Sequence, residues 1–243
     1  MNEDGLAPAR RRVSAVLFDM DGTLLDSEPA YFESDRAFLE AYGIDYTEAL
    51  NMTFTGRGSL AMMGILEDMF PDSPINKLPM EERVRLKDEA YACFAPSRVK
   101  PFDAAVTLAR SLVSLGITLA IASGSSPEVI GLMLEAHKLG DLFSVRVSSA
   151  EVPRGKPAPD VFIEAARRCA VPVSECLVLE DSRYGVAAAL AAGMACIALP
   201  EPGSPFPEDF ASADLVVEGG ASCLDVDLVL GFYDWVPRRG PEF

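Results

Sequence analysis

Asp19-Met20-Asp21-Gly22-Thr23 follows directly on the apolar run Val16-Leu17-Phe18. Two carboxylates thus stand two positions apart where a buried strand ends and the backbone must turn. That placement suits phosphoryl-group chemistry: one carboxylate attacks, the second shuttles a proton, and a bound Mg²⁺ offsets the charge. A carboxylate left unpaired at a buried strand end costs several kcal/mol, so a lysine or a metal must lie close by. Asp21-Gly22 is also ordinary turn chemistry, and by itself the segment fits either reading.

Three later segments follow apolar runs in the same way. Ser123-Gly124-Ser125-Ser126-Pro127 comes after Ile117 to Ala122 and leads into a helical pattern. Its hydroxyls and free N–H groups suit an anion, although a plain helix cap would look the same. Gly155-Lys156-Pro157 pins a lysine just before another helix, so its ammonium is held at a fixed point unless it is simply solvated. Arg154 beside it is the weaker candidate for that role. Glu180 and Asp181 end a further apolar run, ahead of Ser182. Either Asp181 helps cap the next helix, or this pair and the Asp19/Asp21 pair share one hard cation through oxygen ligands. Sharing accounts for both pairs with a single ion.

These segments need a frame that gathers them. Short apolar runs at Ser14 to Phe18, Ile117 to Ala122, Ser144 to Ser148, Cys176 to Leu179, Met194 to Leu199 and Asp214 to Val217 read as strands covered on both faces. Helical patterns alternate with them, which predicts a doubly wound α/β fold with a parallel sheet. In such a sheet ligands bind beyond the carboxyl ends of the strands, where the polar segments lie. Asp103 is placed to cap a helix with Leu108, Leu112 and Leu115 on one stripe. Ser126 and Pro127 start a second, Pro159 a third and Ser182 a fourth. His137 falls on the apolar stripe of the second and reads as structural. Pro29 to Val99 carries helical patterns at Phe32 to Tyr42, Leu60 to Phe70 and Met80 to Phe94, and no strand; it reads as an inserted helical domain. Its methionines read as adaptable core filler.

Composition sets outer limits. The 243 residues fit one large domain or a core with a smaller insert. The net charge of −16 repels nucleic acid and anionic lipid, and it requires any phosphate site to be locally positive. No apolar run reaches the roughly 20 residues of a membrane span. Met1 to Arg12 has no apolar stretch of the kind a secretory signal needs. The five cysteines show no CxxC spacing, so reduced, buried thiols in a cytoplasmic protein are expected.

The four segments, in this order, resemble the motifs of the haloacid dehalogenase superfamily across about residues 13 to 220. The strings FDMDGTLLDSEPAYF, GKPAPDVF and LEDSRYGVAAALAAGM look like its β-phosphoglucomutase and small-phosphatase branch. The resemblance implies a Rossmann-like core (13–28 and 100–220), a helical cap (29–99) and a C-terminal tail (221–243) that packs on the core through Trp235. It also implies that Asp19 is the nucleophile forming an aspartyl-phosphate and Asp21 the general acid/base. Ser123 and Lys156 would hold the transferring phosphoryl group, with Thr23 and Gly124 lining the substrate site. Mg²⁺ would rest on the Asp19 carboxylate, the Asp21 backbone carbonyl and Asp181, with Glu180 as a ligand or just behind one. Thr55-Gly56-Arg57 resembles the substrate-facing loop of the cap, so Arg57 is a candidate to touch substrate; a surface arginine at a helix entrance fits equally well.

The implied activity is Mg²⁺-dependent hydrolysis of a small phosphorylated metabolite, such as a sugar phosphate. No nucleic-acid, membrane or obligate protein partner is expected. The mutases carry a histidine where this chain has Tyr31 and a lysine-asparagine pair where it has Ser126-Pro127, which favours water as the second acceptor. A phosphohexomutase of the same fold is the alternative, and a non-catalytic binding protein on the same scaffold is a further one.

Overall fold

The computed structural model describes residues 10–54, 57–93, 95–204 and 207–237. At its centre are six parallel strands: β1 (Ala15–Phe18), β2 (Thr118–Ser123), β3 (Val145–Ser148), β4 (Cys176–Glu180), β5 (Ala195–Ala198) and β6 (Leu215–Val216). They lie in the order β3-β2-β1-β4-β5-β6. The chain therefore reverses direction across the sheet at β1, leaving a crevice at the carboxyl ends of β1 and β4. Successive residues serve opposite faces. Val16 and Phe18 join one apolar cluster with Leu119, Ile121, Leu177 and Leu179. Ala15 and Leu17 join the other with Ala120, Ala122 and Val178.

Cap helices α1 (Glu28–Glu40), α2 (Glu48–Asn51), α3 (Ser59–Met69), α4 (Met80–Ala92) and α5 (Ala95–Arg98) lie between β1 and β2. Core helices α6 (Asp103–Ser114), α7 (Pro127–Ala136), α8 (Asp160–Cys169), α9 (Arg183–Ala191) and α10 (Val226–Phe232) complete the chain. The cap has its own apolar centre, built on Leu39, Ile44, Tyr46, Phe54, Met63 and Leu66 among others. Its two connections to the core run side by side as a short antiparallel ladder, Leu25 opposite Pro101 and Asp26 opposite Lys100. The cap is thus tethered through a two-stranded ribbon.

Several local expectations need correction. Phe102, and not Asp103, is the residue preceding α6; Asp103 sits in the first turn, where its charge still favours the helix dipole. Leu115 ends that helix 44% exposed, off the buried stripe of Leu108 and Leu112. Cys93 and Cys223 are exposed, because one follows the last turn of α4 and the other lies in a surface turn. Met52 and Met69 are likewise exposed, although Met62 and Met63 fill the cap core. The tail segment Asp234–Trp235 forms a strand with Arg12–Val13 that the sequence pattern did not indicate. Ser126 caps α7 and Ser182 caps α9 through their hydroxyls, as their spacing indicated.

Candidate active site

Register explains how the polar segments meet. Phe18 is level with Ile121 on β2 and with Leu179 on β4, so Asp19, Ser123 and Glu180 emerge at one edge of the sheet. The Asp19 N–H donates to Leu179 O at 3.0 Å, which fixes the turn of the chain there. Gly22 follows with φ of +81° and donates its N–H to Leu25 O at 2.8 Å. Asp19, Asp21, Ser123, Gly124, Lys156, Glu180 and Asp181 line one cavity of about 80 Å³ with cap residues across it, Arg57 among them.

Lys156 is the centre of charge. Its Nζ donates at 2.5 Å to Asp19 Oδ1 and at 2.5 Å to Glu180 Oε1. Burial alone would push this ammonium down, but the charges of Asp19 and Glu180 outweigh that and hold it above its usual range. Glu180 is fully engaged: Oε2 also receives the Ser182 N–H at 2.8 Å and its hydroxyl at 2.9 Å. A Cβ on Gly185 would lie 1.7 Å from Glu180 Oε1, so only glycine leaves that carboxylate its place. Glu180 therefore sits as the anchor of Lys156.

Asp21 is held differently. Its Oδ1 accepts from Ser27 at 2.7 Å, and its Oδ2 accepts from Ser125 at 2.6 Å. Ser123 lies farther off, at 3.5 Å from Oδ2, and its oxygen accepts the Ser125 N–H at 3.0 Å. Tyr31 from the cap shares a 2.8 Å hydrogen bond with the Ser125 hydroxyl. Thr23 donates to Asp181 Oδ1 at 3.2 Å. Ser27, Ser125 and Gly185 were not singled out from the sequence. Ser27 and Ser125 stand in segments already flagged, but which of several serines turns toward Asp21 depends on loop geometry.

The cavity carries more negative charge than Lys156 balances. Burial pushes Asp19 up to about 8 against the pull of Lys156. It raises Asp181 well above the usual carboxylate range, helped by Glu180 and Asp19. Asp21 is also raised by burial, against the hydrogen bonds from Ser125 and Ser27. Oxygen-only donors with surplus negative charge fit a hard divalent cation. Among the described residues no three His, Cys, Asp or Glu side chains converge on one point. A cation here would therefore also draw on backbone oxygen or water.

Arg57 reaches the cavity from the cap, with its guanidinium 4.3 Å from the Tyr184 ring centre and Nη2 donating to the Tyr184 oxygen at 2.7 Å. Thr55 and Gly56, the rest of that motif, lie outside the described residues. Next to it, a Cβ on Gly58 would be 2.9 Å from Gly124 O, so cap and core backbones meet at the cavity mouth.

Residues 13–193 match the family described as haloacid dehalogenase-like hydrolase. The chain belongs to that family. It is 34% identical over 239 residues to the bifunctional riboflavin kinase/FMN phosphatase of Arabidopsis thaliana, covering 94% of this chain and 59% of that one. The chain thus spans less than two thirds of that relative. It is 32% identical over 188 residues to the fructose-1-phosphate phosphatase YqaB of Escherichia coli, covering 75% of this chain and 94% of that one. A β-phosphoglucomutase from Clostridium difficile shares the fold with a TM-score of 0.77, at 21% identity over 91% of this chain and 97% of that one. Among the described residues no helix is long and apolar enough to cross a membrane.

Proposed function

We propose that the protein is a Mg²⁺-dependent phosphatase of small phosphorylated metabolites, sugar phosphates among them. The observation that carries this reading is the Asp19–Lys156–Glu180 bridge on the floor of a capped cavity, with Asp21 held beside it by two hydroxyls. Asp19 supplies the carboxylate oxygen that bonds to phosphorus as the ester P–O bond breaks. Asp21 gives its proton to the departing oxygen, and the burial that raises its pKa favours its carrying that proton. It then takes a proton from the water that attacks the aspartyl-phosphate, so phosphate leaves and Asp19 is regenerated.

Lys156 balances the phosphoryl oxygens and Asp19 together, and Glu180 and Ser182 keep its ammonium in place. Ser123 and Gly124 face the same space from the β2 loop, with Thr23 bonded to Asp181. The Asp19 and Asp181 side chains and the Asp21 carbonyl would hold Mg²⁺, which when bound neutralises charge on the transferring phosphoryl group. A phosphomutase must return phosphate to sugar. Tyr31 is tied to Ser125 where the mutases carry histidine, and Ser126 is used as a helix cap, both of which favour hydrolysis.

Relatives named as FMN phosphatase and fructose-1-phosphate phosphatase support the substrate class. Fructose 1-phosphate incubated with protein and Mg²⁺ is expected to yield inorganic phosphate and no isomerised sugar phosphate. Asp19→Asn should retain less than about a thousandth of the rate. Conversion to an isomer, or turnover by Asp19→Asn near the wild-type rate, would reject this reading.

A further inference from the structure

The cavity wall supplied by the cap has a charge pattern of its own. Lys87 of α4 and Asp35 of α1 face each other across the two helices, Nζ to Oδ1 at 3.1 Å. Both line the cavity, and both are almost fully buried, at 3% and 4% exposed. Lys87 Nζ also lies 4.8 Å from the Tyr31 ring centre, which fixes it from a second side. Asp35 Oδ1 is held by Lys87 as an ion pair and accepts no further hydrogen bond among the described residues. Glu28 adds another carboxyl to this wall. Arg57, the other cap cation on the cavity among the described residues, is engaged by Tyr184.

We infer that this wall selects the leaving group: it takes a neutral, hydroxyl-bearing one and turns away a substrate carrying a second anionic group. The inference rests on the phosphatase reading above. A hydroxyl serves both partners, donating to the Asp35 carboxylate and accepting from Lys87. A carboxylate or second phosphate has no hydrogen to give Asp35. It would also meet the Asp35 charge with Lys87 already balanced, in a cavity poorly screened by water. The net charge of −16 opposes a more highly charged substrate in the same sense at long range. Asp35 is thus the specificity-determining residue, and it acts by neutralising Lys87.

Glycerol 3-phosphate and 3-phosphoglycerate form a matched pair, with a terminal CH₂OH in one where the other has a carboxylate. Phosphate release by the full chain with Mg²⁺ gives kcat/KM for each. The wild type is expected to favour glycerol 3-phosphate by about tenfold or more. Asp35→Asn keeps the shape and leaves the Lys87 charge unbalanced, so the ratio should move toward 3-phosphoglycerate by about tenfold or more. A wild type that prefers 3-phosphoglycerate, or a ratio unmoved in Asp35→Asn, overturns the inference and leaves the phosphatase reading standing. If the variant does not fold, the wild-type ratio decides alone. Release from neither ester also overturns it, and fructose 1-phosphate then shows whether the phosphatase reading survives.

Discussion

A methyl group on Gly22 would sit 2.2 Å from Asp181 Oδ2, and the residue's φ of +81° already disfavours any side chain. The two constraints are separate: one sets the turn, and the other keeps room for a carboxylate that follows the neighbouring strand β4. Gly22→Ala is therefore expected to cost about 1–3 kcal/mol of stability. By displacing Asp181 it should also lower kcat/KM about a hundredfold. Steady-state kinetics at saturating Mg²⁺, beside a thermal melt, separate the two effects. Wild-type kinetics in a folded Gly22→Ala protein would show that Asp181 has no fixed place in the chemistry. The turn was legible in the Asp-Gly pair, but the contact with Asp181 was not, since 159 positions in the chain separate the two residues.

Helix α4 shows how an element carries function through one face. Arg83, Lys87 and Tyr91 are its buried residues, spaced four apart so that they stack on one side. Such spacing normally marks an apolar stripe, and two cations on it signal buried partners. Lys87 meets Asp35, whereas Arg83 binds the chain between α3 and α4. Its Nε donates to Leu78 O at 2.9 Å, Nη2 to Asn76 O at 3.0 Å, and Nη1 to Glu67 Oε2 at 2.9 Å. Glu67 is half exposed and contributes little, but the two carbonyls lose their donor if the guanidinium is removed. Arg83→Met should destabilise the protein by about 2–3 kcal/mol. In a protein of this size that corresponds to a melting temperature lower by roughly 4–12 °C. An unchanged melting curve would mean the carbonyls find water instead.

At the scale of the whole molecule the acidic cavity and the acidic surface act together. Burial holds Asp19 at about 8, and burial with the nearby Asp21 charge holds Glu28 at about 8. The same groups titrate near pH 4 in an unfolded chain. Between those values the folded state binds more protons than the unfolded one, so stability is fullest at the low end and falls as pH rises toward 8. Metal-free protein should melt several degrees lower at about pH 8 than at about pH 6. Mg²⁺ should restore more of the melting temperature at the higher pH, because ligand that binds only the folded state stabilises it. Calorimetry at both values, with and without Mg²⁺, checks this. A Mg²⁺ effect independent of pH would show that the buried carboxylates do not hold the ion.

Local order in the sequence marked the strands of the central sheet, because short apolar runs bounded by turn residues and alternating with helical patterns suit strands covered on both faces. It also determined the helix starts at Ser126 and Ser182, since a hydroxyl cap acts over three residues. The acidic positions followed, as Asp19, Glu180 and Asp181 stand at strand ends, and Lys156 followed from its place in the loop just before α8. The partners were decided only in three dimensions. Parallel register sets Asp19 level with Glu180, the bend after β2 turns Ser125 to Asp21, and the packing of α1 on α4 joins Asp35 to Lys87. These pairings depend on strand order and helix contact between distant parts of the chain. Spacing within any one segment carries no record of them.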